Sequence, residues 1–156
     1  MKNILFICTA NICRSPFAEK AFAMLLKERN MEGVMVHSAG VMAVPGLPPP
    51  KEAIRVATEF RVDVSRHASR PLSIDMIKDA DVIPVMNIYH LETITEREPE
   101  SEDKLVLLGN YCTTHGNTAE EMEIPDPYGF SSFHYRYSFN IIRDCINNIF
   151  NELFNS

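Results

Sequence analysis

The run Cys8-Thr9-Ala10-Asn11-Ile12-Cys13-Arg14-Ser15 sets a thiol and a guanidinium at the two ends of a short polar turn. A thiolate is a strong nucleophile, and the planar fork of an arginine matches two oxygens of a phosphate. A short loop curled ahead of a helix can turn its backbone N–H groups, here those of Thr9 to Ser15, toward a common centre that binds an anion. The same positive field favours the thiolate form of Cys8, so nucleophile and oxyanion cradle come from one segment. A bare Cys-x5-Arg pair recurs by chance, and the reading rests on what flanks it.

What flanks it is an unbroken apolar run over residues 3–8, the pattern of a strand buried on both faces, and then Ser15-Pro16, an N-cap and first-turn pair that opens a helix. Ala18, Ala21, Phe22, Leu25 and Leu26 share one face of that helix, and Asn30 and Gly33 end it. Val34–Ser38, Asp81–Met86 and Leu105–Leu108 read as further strands, Lys51–Phe60 as a helix. A long last helix capped by Ser131 or Ser132 carries Phe133, Tyr137, Ile141, Cys145 and Ile149 every fourth position. Strands alternating with amphipathic helices predict an α/β fold: an open four-stranded parallel sheet with helices on both faces and a phosphate loop between the first strand and the first helix. With no repeat or linker, residues 1–156 read as a single domain.

Composition narrows the function. A net charge of -6 speaks against nucleic-acid partners, and no apolar run reaches the roughly 18 residues of a membrane helix. The short apolar start followed by no cleavage site argues against a signal peptide, so a cytoplasmic location is expected. Cys8, Cys13, Cys112 and Cys145 show no C-x2-C spacing for zinc, so neither metal nor cofactor is expected and each reads as a free thiol in a reducing compartment. Cys145 falls on an apolar helix stripe, and Cys13 could form a reversible disulfide with Cys8 across the mouth of the loop.

At Cys8 to Pro16 the chain resembles the low-molecular-weight protein tyrosine phosphatase family, whose loop reads C-x-G-N-x-C-R-S-P; Ala10 replaces the usual Gly. The resemblance implies that Cys8 is the nucleophile, Arg14 the phosphate clamp, Asn11 the support of the strained loop backbone and Ser15 the hydroxyl stabilising the thiolate. If position 10 needs a positive φ, its alanine would cost on the order of 1 kcal/mol. Asp126, stiffened between Pro125 and Pro127 in the irregular stretch from Gly109 to Phe130, matches the family's general acid in a D-P dipeptide before an aromatic residue. Ser38-Ala39-Gly40 matches an S-A-G after the second strand, and His67 with Arg70 and Leu72 a segment under the phosphate loop. Where the family has Met-Asp supporting that histidine, Met86-Asn87 stands here, which implies that a neutral amide holds His67. Thr9, Ile12, Val44, Tyr128 and Phe130 fall at the positions of the pocket wall.

The expected reaction is hydrolysis of phosphotyrosine on proteins through a cysteinyl-phosphate intermediate, with inorganic phosphate as product and with an oligomeric state on which the sequence is silent. Relatives acting on phosphoarginine tend to carry Thr in place of Ile12, so arginine phosphatase is the nearer alternative. Arsenate reductase of the same fold needs two more cysteines mid-chain, and none lies between Cys13 and Cys112. A phosphate-binding module, inactive because Ala10 distorts the loop, is the non-enzymatic alternative.

Overall fold

The computed structural model describes residues 2–113 and 122–155. The chain runs β1 (Lys2–Cys8), α1 (Arg14–Glu28), β2 (Val34–Gly40), α2 (Lys51–Glu59), α3 (Ile74–Asp79), β3 (Ile83–Val85), α4 (Ile88–Arg97), β4 (Leu105–Leu107) and α5 (Ser132–Phe154), with 3-10 turns at Pro99–Lys104 and Leu108–Tyr111. The expected irregular stretch 109–130 thus opens as a 3-10 turn, and its residues 114–121 lie outside the described ones.

The four strands are parallel in the order β2-β1-β3-β4. Successive side chains of β1 enter opposite cores. Ile4, Phe6 and Cys8 face a layer built on α1, α2 and α5, while Leu5 and Ile7 face Ile77 of α3 and Ile94 of α4. Burial on both sides explains why this strand reads as a continuous apolar run. The first core is rich in aromatics: Phe17 stacks on Phe139 at 4.2 Å, and Phe22 meets Phe6 and Phe150. Chain order reverses between β1 and β3, and in such sheets ligands bind beyond the strand ends at the reversal. The turn after Cys8 occupies that place.

Three local features differ from the sequence reading. Helix α1 begins at Arg14 with Cys13 at the capping position and no side-chain cap, so Ser15 is released from that task. Ser131 does hold the capping position of α5, yet its hydroxyl bonds His134 Nδ1 instead of the helix backbone. Helices α3 and α4 had no counterpart in the sequence reading; Ser73, accepting from Met76 N, is the cap that signals the first.

Gly40, at the end of β2, lies against the phosphate loop. A Cβ there would stand 2.5 Å from Thr9 O and 2.9 Å from Asn11 N, both backbone atoms. Gly40→Ala is therefore expected to lower unfolding free energy by about 1–3 kcal/mol in urea titration and to lower turnover by displacing the loop. A variant with the wild-type denaturation midpoint would show that the loop gives way freely.

Candidate active site

Cys8 ends β1 with its sulfur under the turn. Ser15 Oγ lies 2.9 Å from Sγ, and Asn11 N donates to it at 3.2 Å. The direction of the serine contact follows from its other partner. Asn11 Nδ2 donates to Ser15 Oγ at 2.8 Å, so the serine hydrogen is free to be given to sulfur. The second Nδ2 hydrogen goes to Ser38 Oγ at 2.9 Å, and Ser38 passes its own to Glu19 Oε1 at 2.7 Å. A one-way chain of donors thus runs from Asn11 to the sulfur on one side and to a carboxylate on the other.

Asn11 is fully buried with a φ of 57°, a left-handed conformation that asparagine tolerates better than most residues. Its Oδ1 accepts Arg70 N at 2.9 Å and faces His67 Nε2 at 3.1 Å, while the same Nε2 lies 2.8 Å from Asn11 O. Facing two acceptors, Nε2 carries the ring proton, and burial pushes the His67 pKa down against the opposing pull of the Asn11 backbone. Ala10 is not among the positive-φ residues, so its Cβ meets no left-handed strain and the premise of a distorted loop falls away.

Arg14 is 2% exposed. Its Nη1 donates to Asn87 Oδ1 at 2.5 Å and to Ile124 O at 2.8 Å, and its Nη2 lies 3.7 Å from Asp126 Oδ2. This corrects one expectation: Asn87 holds the arginine, not His67, whose partner is Asn11. The segment bearing Asp126 is tied on three sides, by Arg14 to Ile124 O, by Ile124 N to Met86 O, and by Ser138 of α5 to Pro125 O. Asp126 Oδ1 accepts Tyr128 N at 3.1 Å, which aims a half-exposed carboxylate.

Cys8, Thr9, Ala10, Ile12, Cys13, Arg14, Leu47, Asp126 and Tyr128 line one cavity of about 330 Å³. Thiol, guanidinium and carboxylate, spread over 119 positions of sequence from Cys8 to Asp126, are brought together. Of the expected wall, Thr9, Ile12 and Tyr128 are in place. Val44 and Phe130 are exposed and outside the lining, the ring of Phe130 turned onto His134, and Leu47 stands in the wall instead. Ser69 Oγ donates to the carbonyl of Val44 at 2.5 Å and accepts from Leu47 N at 2.9 Å, which fixes the backbone between the two residues. His90 was missed by sequence reading; it sits behind Thr9, with Nε2 2.8 Å from Thr9 Oγ1.

The remaining thiols are of another kind. Cys13 is buried and its pKa is pushed up to about 12, chiefly by desolvation, against the Tyr135 hydroxyl 3.7 Å away. Burial, with Cys112 and Asp144 nearby, pushes the Cys145 thiol up as well, and neither Cys112 nor Cys145 reaches the cavity. Among the described residues no group of three His, Cys, Asp or Glu stands close enough to hold a metal ion, and no helix is long and apolar enough to cross a membrane.

A doubly wound sheet that delivers a thiol, a buried arginine and a carboxylate to one cavity at its switch point defines a cysteine-based oxyanion site. The model of the family described as low molecular weight phosphotyrosine protein phosphatase matches residues 3–156, and the chain belongs to that family. It is accordingly a cysteine-dependent phosphatase. Among relatives, it is 35% identical to the low molecular weight protein-tyrosine-phosphatase Etp of Escherichia coli K12 over 140 residues, covering 90% of this chain and 86% of that one. The tyrosine phosphatase Wzb from Escherichia coli K30, solved in complex with sulphate, superposes with a TM-score of 0.86 at 30% identity, covering 97% of this chain and 98% of the other. The YwlE arginine phosphatase from Geobacillus stearothermophilus superposes with a TM-score of 0.84 at 30% identity, covering 99% and 94%.

A thiol whose pKa is raised to about 12 stays protonated at neutral and mildly alkaline pH, and only the thiolate alkylates. Iodoacetamide should therefore label Cys8, which lines the cavity, ahead of Cys13, which should stay intact until the pH nears 12, as read by peptide mass spectrometry. Equal labelling of both thiols at neutral pH would contradict this assignment.

Proposed function

We propose that the chain hydrolyses phosphotyrosine on proteins, with Cys8 as nucleophile, Arg14 as phosphate clamp and Asp126 as general acid. The observation that carries this reading is the shared cavity lined by all three. In the first step the Cys8 thiolate attacks phosphorus, the bond to the aryl oxygen breaks, and Asp126 protonates the departing phenolate. In the second, water attacks the phosphocysteine, Asp126 takes its proton, and inorganic phosphate leaves with Cys8 restored as thiolate. The backbone amides of Thr9 to Ser15 and the Arg14 guanidinium meet the charge of the equatorial oxygens. Asn11, Ser15 and His67 act as supports of the loop and the sulfur.

Ile12, Leu47 and Tyr128 give the cavity an apolar and aromatic wall suited to a flat phenyl ring, which favours tyrosine over arginine phosphate. Phosphoprotein partners follow from this reaction, a cytoplasmic location remains part of the proposal, and the net charge of -6 speaks against nucleic-acid partners. Cys13 lines the cavity with Cys8, which supports its part as redox partner: a Cys8 sulfenic acid would condense with the protonated Cys13 thiol, whose proton leaves with the sulfenic hydroxide as water, and Cys8 would be spared further oxidation. Cys13→Ser should then regain less activity than wild type when a dithiol follows peroxide, and equal recovery would discard the role.

Hydrolysis of p-nitrophenyl phosphate should persist in EDTA, because loop and arginine supply the positive charge. Cys8→Ser should abolish it, and Asp126→Ala should lower kcat roughly 10²–10⁴-fold. Phosphotyrosine peptides should be turned over in preference to phosphoarginine peptides. Activity retained in Cys8→Ser would end this reading, and the reverse peptide preference would reassign the substrate.

A further inference from the structure

Thr9 and His90 form a polar contact at the cavity wall that the steps above leave unused. His90 Nδ1 accepts the backbone N–H of Asn87 at 3.0 Å, so the ring proton resides on Nε2. Nε2 lies 2.8 Å from Thr9 Oγ1 and must donate to it. The threonine oxygen is thereby used as an acceptor, and its own hydrogen remains to be given. Among the described residues no acceptor for that hydrogen accompanies His90. Thr9 lines the cavity together with Cys8, Arg14 and Asp126, so the cavity is the direction left open. His90 is 0% exposed, and burial, then the nearby Arg14 charge, pushes its pKa down to about 3. The ring stays neutral and the donor direction fixed at any pH where the thiol chemistry runs.

We propose that the Thr9 hydroxyl, oriented by His90, donates a hydrogen bond to the phosphoryl group held in the cavity. This rests on the reading of the cavity as a phosphoryl site. Thr9 is then a contact residue for the reacting group, and His90 a positioning residue acting through it. The contact adds a neutral, directed donor beside the loop amides and Arg14, without a further charge that would hold product phosphate by long-range attraction.

The test compares kcat/KM for p-nitrophenyl phosphate, and the inhibition constant of inorganic phosphate, across five proteins: wild type, Thr9→Val, Thr9→Ser, His90→Gln and His90→Asn. Valine keeps the shape of threonine and loses the donor; both constants should worsen roughly ten- to hundredfold, the range for a hydrogen bond to a charged group. Serine keeps the hydroxyl and should restore most of the loss. The two histidine variants separate orientation from packing. Glutamine can reach Thr9 with an N–H but gives up the Asn87 contact, whereas asparagine can accept from Asn87 N but falls short of Thr9. Orientation predicts that glutamine stays near wild type and that asparagine behaves like Thr9→Val. Wild-type constants in Thr9→Val overturn the proposal, as does a functional asparagine variant beside an impaired glutamine one. If the histidine variants fail to fold, the Thr9→Val and Thr9→Ser pair decides. A wild-type protein that neither hydrolyses the ester nor responds to phosphate would defeat the phosphoryl reading itself, and the Thr9 contact with it.

Discussion

A cation taken out of water must find compensation, and the buried guanidinium of Arg14 is the charge around which this protein is arranged. Its inner contacts are neutral oxygens, the Asn87 amide and the Ile124 carbonyl, which satisfy its N–H groups without cancelling its charge. Among the described residues the carboxylate that pairs with it is that of Asp126, 3.7 Å away at the open side of the cavity. The guanidinium is therefore held rigidly yet left electrostatically hungry, facing the place where the sulfur also points. Much of the fold serves this arrangement. The chain reversal between β1 and β3 opens the crevice, Asn87 stands at the start of α4 to reach the arginine, and Ile124 is clamped to Met86 at the end of the third strand.

The second organising element is Asn11, whose amide feeds both serines while its carbonyl groups collect Arg70 N and the His67 ring. Because Asn11 Nδ2 gives its hydrogen to Ser15 Oγ, the serine hydrogen is left free to be donated to the sulfur. Carboxylate and sulfur lie at opposite ends of the chain, so Glu19 anchors the network without placing a negative charge against Cys8. Satisfied networks of this kind fix one geometry and tolerate little substitution.

The sheet and the helices bordering the loop were legible because apolar patterning is local: residues 3–8, the face of α1 and the α5 stripe from Ile141 onward announce their burial, whereas Phe133 and Tyr137, placed at the start of that stripe, are exposed and Tyr135 and Phe139 enter the core instead. Helices α3 and α4 were not, since one has six residues and the other buries only His90 and Ile94, too few positions to set a period. At the site, the motif from Cys8 to Ser15 could be read directly because all its parts are contiguous. The partner of Arg14 could not, because whether Asn87 reaches an arginine or a histidine depends on where α4 begins in space. The same holds for the wall. Choosing Leu47 over Val44 requires knowing that Ser69 grips the chain between them.

That grip divides the enzyme into two parts with different freedoms. The segment from Met42 to Leu47 is pinned at one end by Met42 N on Thr9 O and at the other by Gly46 N and Leu47 N on Ser69, and between these staples Val44 and Pro45 are exposed. Residues there can be exchanged without disturbing the sulfur, the arginine or the sheet, since none of them contributes to the two cores. The fold thus holds sulfur, guanidinium and carboxylate in one frame and brings a single wall residue of the cavity, Leu47, from a short strap gripped by Ser69, so that side of the cavity is carried apart from the reacting groups.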